Sequence, residues 1–242
     1  MKLWLDWSKW ILTDKKKFSK IIEQISDNII RDIQDHSLIG LGSGSTVATF
    51  VRRLGKVVKD KGIEISVIPS SLQIQLIAEY EELNIANSNI KRRIDFTIDG
   101  ADQVDKKYNM IKGGGGALHR EMILLDAAKN RIILIDQTKY VATLSRSVPL
   151  EISYFARNFV FDALKRIGGK PTLRLLDKGY PFVTENNNII IDSDFGIINN
   201  PEKLRSKISN IPGIVEIGLF INKCDVLYIA NSDGTINCFK QN

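Results

Sequence analysis

The sequence predicts an α/β fold: a mostly parallel sheet with helices on both faces, plus a smaller α+β region. Three observations predict it. Short apolar runs ending in glycine or proline alternate with helically spaced stretches from residue 18 to residue 135. From about residue 147 the order changes to β-α-β-β-α-β. The 242 residues are 43% hydrophobic, enough for a sizeable core, and no repeat or low-complexity linker interrupts them.

Taken in order, Phe18, Ile21, Ile22, Ile25, Ile29, Ile30 and Ile33 fall on one helical face over residues 18–34. Residues 37–41 form an apolar run suited to a buried strand. A second helical pattern begins at Thr46 and carries Val47, Phe50, Val51, Leu54, Val57 and Val58, with Gly62 as its stop. Residues 63–68 read as a strand ending at Pro69, 72–83 as a helix, 96–98 as a strand, 121–129 as a helix and 131–135 as a strand. In the second region, strands are predicted at 148–152, 172–176, 189–191 and 214–220, with helices at 155–167 and 201–208. The chain closes with a strand at 226–230 and a hairpin at Ser232-Asp233-Gly234. The expected domains are a Rossmann-like main domain, residues 1–146 with 221–242, and a ferredoxin-like α+β domain, residues 147–220.

Composition narrows the function classes. Two cysteines, Cys224 and Cys238, and two histidines, His36 and His119, lack the spacing of a metal site or a disulfide framework. No apolar run could span a bilayer. The first residues carry Asp6 and Lys9 within their apolar stretch and do not read as a signal peptide, so a cytoplasmic protein is expected. The net charge of +6 raises a nucleic-acid partner, but the basic residues are scattered without interleaved aromatics. A solvated basic surface that attracts anionic metabolites is the expectation instead.

Three loops carry candidate chemistry. Gly40-Leu41-Gly42-Ser43-Gly44-Ser45-Thr46 joins a predicted strand to a predicted helix. Its amides, the following helix N-terminus and the hydroxyls of Ser43, Ser45 and Thr46 suit a phosphate. The dinucleotide fingerprint fails because its third glycine position is Ser45, and no Gly-Lys-Ser/Thr of a P-loop follows. Asp99-Gly100-Ala101-Asp102 follows the strand at 96–98, where ligands of open α/β sheets gather. Its two carboxylates could manage protons on sugar hydroxyls, although Asp and Gly also favour plain turns. The third loop is Lys112 followed by Gly113, Gly114, Gly115 and Gly116, then Ala117, Leu118, His119, Arg120 and Glu121. Four glycines in a row cost backbone entropy on ordering, which points to close approach of backbone and ligand. Aldose–ketose isomerisation needs a base, an oxyanion stabiliser, a ring-opening group and a remote anchor. Glu121, Lys112, the aspartates and the Ser/Thr-Gly loop offer these in turn.

These motifs, with Met110-Ile111-Lys112-Gly113-Gly114-Gly115, Arg120-Glu121, Ile135 to Lys139 and Ile211 to Phe220, resemble the type A ribose-5-phosphate isomerases from about residue 18 onward. The resemblance implies interconversion of ribose 5-phosphate and ribulose 5-phosphate, in the non-oxidative pentose phosphate pathway, without metal or cofactor. It implies that Glu121 shuttles the proton between C1 and C2, that Asp99 assists ring opening with Asp102 near the hydroxyls, and that Lys112 stabilises the enediolate. Ser43, Gly44, Ser45 and Thr46 would hold the phosphate. Gly100, Ala101, Gly113, Gly114, Gly115 and Lys139 would complete the substrate site. A homodimer or homotetramer with neither nucleic-acid nor membrane partner is expected. Ser43 stands where the family often has threonine, and Gly116 where alanine is common. Trp4, Trp7 and Trp10 have no family counterpart and read as an apolar cap, with packing on a neighbouring subunit as the alternative; His119 reads as a helix-surface residue.

Rival readings are a sugar-phosphate sensor, a deaminase or coenzyme A transferase of related architecture, and a nucleic-acid binder. About 36 residues precede the first predicted strand, too few for a winged helix. Lys112, the glycine run and Glu121 together argue against the first two classes.

Overall fold

Alternation of buried β-runs and amphipathic helices builds two compact units, seen in a computed structural model that describes residues 15–86 and 92–241. Trp4, Trp7 and Trp10 lie outside the described residues. Elements are numbered along the whole chain.

The first unit comprises the described residues up to Gly100, residues 127–137 and those from Asp225. Its strands are β1 (Leu38–Leu41), β2 (Ser66–Pro69), β3 (Asn84–Ile85), β4 (Ile94–Gly100), β7 (Ala128–Asp136), β13 (Val226–Ala230) and β14 (Ile236–Lys240). They form one sheet in the order β14-β13-β7-β4-β1-β2-β3, parallel except for the terminal β13–β14 hairpin. Its helices are α1 (Lys15–Arg31), α2 (Ser45–Lys61) and α3 (Leu72–Tyr80). The isoleucine face of α1 packs with Phe50 and Leu54 of α2 and with Ile39 and Leu41 of β1. Each such fully buried side chain contributes about 1.5–3 kcal/mol. Gly62 ends α2 in the left-handed conformation, its amide donating to the Val58 carbonyl at 3.0 Å. Ser71 caps α3 by accepting from the Ile74 amide. That helix stops before the expected residue 83 because the chain turns through Glu82 at φ 61°.

The second unit comprises residues 101–126 and 138–224. Two-residue strands β5 (Gln103–Val104), β6 (Met110–Ile111) and β12 (Leu219–Phe220) form a small antiparallel sheet, and α4 (Leu118–Ala127) follows β6. Then come β8 (Val148–Ile152), α5 (Arg157–Arg166), β9 (Lys170–Leu173), β10 (Ile189–Asp194), α6 (Pro201–Ser209) and β11 (Ile214–Ile217). Their sheet order β11-β8-β10-β9, antiparallel throughout, is the ferredoxin-like arrangement expected from the sequence.

Two differences from the sequence reading have clear causes. The predicted strand 214–220 divides at Gly218 into β11 and β12, which pair with different sheets. Gly218 donates to the Pro149 carbonyl at 2.7 Å and accepts from the Lys112 amide at 3.0 Å, so one residue serves both. Residues 101–126, 138–146 and 221–224, expected in the Rossmann-like domain, fold with the second unit, where Ile111 and Leu144 join the core of Leu150, Val160 and Ile191.

Candidate active site

In the first unit the glycine segment after β1 is laid against the end of β4. The Gly42 amide donates to the Ile98 carbonyl at 2.9 Å. The next residue, Asp99, is fully buried, and its Oδ1 accepts the Gly100 amide at 2.7 Å. A Cβ at position 42 would overlap the Asp99 carboxylate, so only glycine lets the backbone approach that acid. Ser43 Oγ lies 2.7 Å from both Ser70 Oγ and Ser71 Oγ, gathering three hydroxyls beside the segment. Gly44, at φ 92°, occupies the N-cap of α2 without a side-chain cap; Ser45 is exposed and Thr46 buried in the first turn. Capless amides with adjacent hydroxyls suit an anion.

In the second unit Lys112 leaves β6 and runs straight into the glycine turn. Its Nζ lies 3.2 Å from Glu121 Oε2, with the two side chains only 3% and 5% exposed. The same ammonium sits 5.5 Å from the centre of the Phe220 ring. Glu121 lies in the first turn of α4, where the helix dipole favours a carboxylate. Arg120 donates to the Glu185 side chain and carbonyl and to Asn186, and His119 Nδ1 is 3.7 Å from Glu216 Oε2. His119 is therefore a half-buried contact rather than a free surface residue.

The glycine turn is held from both sides. Asp102 Oδ2 accepts the Gly114 amide at 2.8 Å, and a Cβ on Gly114 would come within 2.7 Å of Asp102 Oδ1. Arg174 Nη1 donates to the carbonyls of Gly113 at 2.7 Å and Gly114 at 3.1 Å. Gly114 and Gly115 are exposed, whereas Gly113 and Gly116 are buried.

The residues singled out by sequence thus fall into two sets. The first unit brings Gly42, Ser43 and Asp99 to the carboxyl ends of β1 and β4, with Gly100 beside them. The second joins Lys112 to Glu121 and Asp102 to the turn, with Ala101 buried ahead of Asp102. Lys139 is half-buried in a 3₁₀ turn, Gln137–Lys139. Sequence reasoning missed Ser70, Ser71, Phe220 and Arg174. A serine pair before an apolar helix was a visible cap signal for Ser70 and Ser71; nothing local marked Arg174. Among the described residues, no three His, Cys, Asp or Glu side chains gather as metal ligands, and no helix is long and apolar enough to cross a membrane.

Residues 66–234 match the family described as Ribose 5-phosphate isomerase A (phosphoriboisomerase A). The chain is 39% identical to "Ribose-5-phosphate isomerase A" of Methanosarcina acetivorans, covering 82% of this chain and 85% of the relative. It is 40% identical to the protein of that name from Archaeoglobus fulgidus, covering 83% and 90%. Among solved structures, ribose 5-phosphate isomerase A of Methanocaldococcus jannaschii superposes with a TM-score of 0.86 at 31% identity, covering 95% of this chain and all of the other. A D-ribose-5-phosphate isomerase in complex with phospho-erythronic acid gives 0.87 at 33%, covering 92% and 98%.

Proposed function

This chain belongs to the ribose 5-phosphate isomerase A family, an enzyme family that interconverts D-ribose 5-phosphate and D-ribulose 5-phosphate, and we propose that the buried Lys112–Glu121 pair performs the proton transfer. That pair carries the reading. A carboxylate and an ammonium 3.2 Å apart supply a base and an oxyanion stabiliser within reach of one reacting carbon.

With the sugar open, the Glu121 carboxylate takes the proton from C2, and the electron pair moves toward the C1 carbonyl. Lys112 stabilises the negative oxygen of the resulting enediolate. Glu121 then returns the proton to C1 while a proton passes from O2 to O1, leaving the ketose. Asp99 assists ring opening, and Asp102 attends the hydroxyls while fixing the Gly114 amide. Ser43, Gly44, Ser45 and Thr46 hold the phosphate, with Lys139 as a further contact. Phosphate binding far from the reacting carbons anchors them for transfer. The relative solved with phospho-erythronic acid supports a sugar-phosphate site, because that acid pairs a phosphate with an enediolate-like carboxylate.

The direct experiment follows ribose 5-phosphate by proton NMR in deuterated buffer with EDTA. Ribulose 5-phosphate carrying solvent deuterium is the expected product. Tight binding of the sugar phosphate without conversion would sink the catalytic reading and favour a sensor. The same reading takes the enzyme as a cytoplasmic homodimer or homotetramer. Exposed Tyr154, Phe155 and Phe159 supply an apolar face for self-association. Sedimentation at the mass of one chain would refute that part.

A further inference from the structure

We infer that Arg174 is a positioning residue for catalysis, setting the glycine turn so that Lys112 and the turn's amides meet the reacting oxygen. This rests on the proposed roles of Lys112 and the turn. Arg174 lies just beyond β9, far from any chemistry-bearing motif in the sequence. Its Nη1 nonetheless donates to two successive carbonyls, Gly113 at 2.7 Å and Gly114 at 3.1 Å. A trans peptide is planar, so each carbonyl fixes the direction of the next N–H. Holding the Gly113 carbonyl aims the Gly114 amide, which donates to Asp102 Oδ2 at 2.8 Å. Holding the Gly114 carbonyl likewise aims the Gly115 amide away from the guanidinium. The turn directly follows Lys112, whose own amide is tied to the Gly218 carbonyl at 3.0 Å.

The guanidinium is itself fixed. Its Nε donates to Asp192 Oδ2 at 2.8 Å and its Nη2 to Asp192 Oδ1, a two-pronged pair that sets the plane of the fork. Its carbon lies 5.8 Å from the centre of the Phe182 ring, and that ring occupies the space a Cβ on Gly116 would need. Lysine has one point charge and no planar fork, so it cannot reproduce the Asp192 pair and both carbonyl bonds at once. Four successive glycines have no side chains with which to order themselves. The Gly116 amide closes the turn on the Gly113 carbonyl at 3.0 Å and Asp102 holds the Gly114 amide; Arg174 adds the side-chain hold on the Gly113 and Gly114 carbonyls.

The test compares Arg174→Met, Arg174→Lys, Arg174→Ala and Asp192→Asn with the parent, measuring kcat, KM and thermal unfolding. The expected result is a fall in kcat of about 30- to 100-fold in Arg174→Met, of the size a 1 Å misplacement produces. KM should stay within about threefold, since phosphate binding is untouched, and the unfolding temperature should move little. Arg174→Lys should remain impaired. Millimolar guanidinium should restore part of kcat in Arg174→Ala, and ammonium should not. Asp192→Asn, which keeps the arginine but loosens it, should lie between. Parental kcat in Arg174→Met overturns the inference. So does a loss of kcat that tracks the unfolding temperature and does not respond to guanidinium. If the parent itself shows no turnover, the isomerase reading fails first, whereas an active parent with unaffected Arg174 variants removes only this inference.

Discussion

Glu121 and Lys112 are each nearly inaccessible, so neither charge is tolerable without the other. Glu121→Gln keeps the shape but removes the proton carrier; turnover should fall by about 10²- to 10⁴-fold with KM little changed. Comparable steady-state rates in variant and parent would take Glu121 out of the base role. Lys112→Met removes the oxyanion stabiliser, and kcat should drop by about 10²- to 10³-fold. It also strands the Glu121 charge in the interior, at a cost of about 3–5 kcal/mol in stability. Chemical denaturation checks the second effect, and an unchanged midpoint would mean the pair is not buried as described. Both residue types were legible from sequence, because a lysine before a glycine run and an acid in a helix's first turn are local signals. Their direct pairing was not, because it depends on the path of the glycine turn that joins β6 to α4.

At the level of elements, the close contact of the β1 loop with β4 is sequence-readable only as glycine content. Gly42→Ala would drive a methyl into the Asp99 carboxylate. Activity should fall along with stability, by about 1–3 kcal/mol from overpacking, and a wild-type melting curve would contradict that. Strand order has its own lock. Arg131 on β7 donates its backbone amide and its guanidinium to Asp225, just before β13, and the Asp225 amide returns to the Arg131 carbonyl at 2.9 Å. Burial alone would push the Asp225 carboxyl up, but the Arg131 hydrogen bonds and charge bring it below its ordinary value. A carboxyl depressed on folding adds stability above its unfolded value of about 4, and that stability is lost as pH falls through the folded value. Asp225→Asn should therefore lower the unfolding temperature at pH 7 by the equivalent of about 1–3 kcal/mol. The gap between variant and parent should close below about pH 4. Thermal scans from pH 3 to 7 decide it; a gap that widens toward low pH would be the wrong sign.

For the whole molecule, a net charge of +6 should draw an anionic sugar phosphate from solution. Raising ionic strength from about 20 to 200 mM, which shortens the screening length to below about 10 Å, should lower kcat/KM several-fold while kcat holds. A flat salt profile would show that the charge is only a solvated surface. The sequence by itself determined the α/β class, the β-α-β-β-α-β order of the second region, the glycine turns and the residue types able to run an isomerisation. Helical and strand periodicity, turn propensity and side-chain chemistry are properties of short stretches, and all of these follow from them. Only the tertiary structure decided that Gly218 divides one predicted strand between two sheets and that residues 101–126 pack with the second unit. It alone joined Ser43 to Ser70 and Ser71, and Arg174 to the Gly113 and Gly114 carbonyls. Those contacts join residues far apart in the chain, and packing and buried hydrogen bonding select them after every local preference has been met.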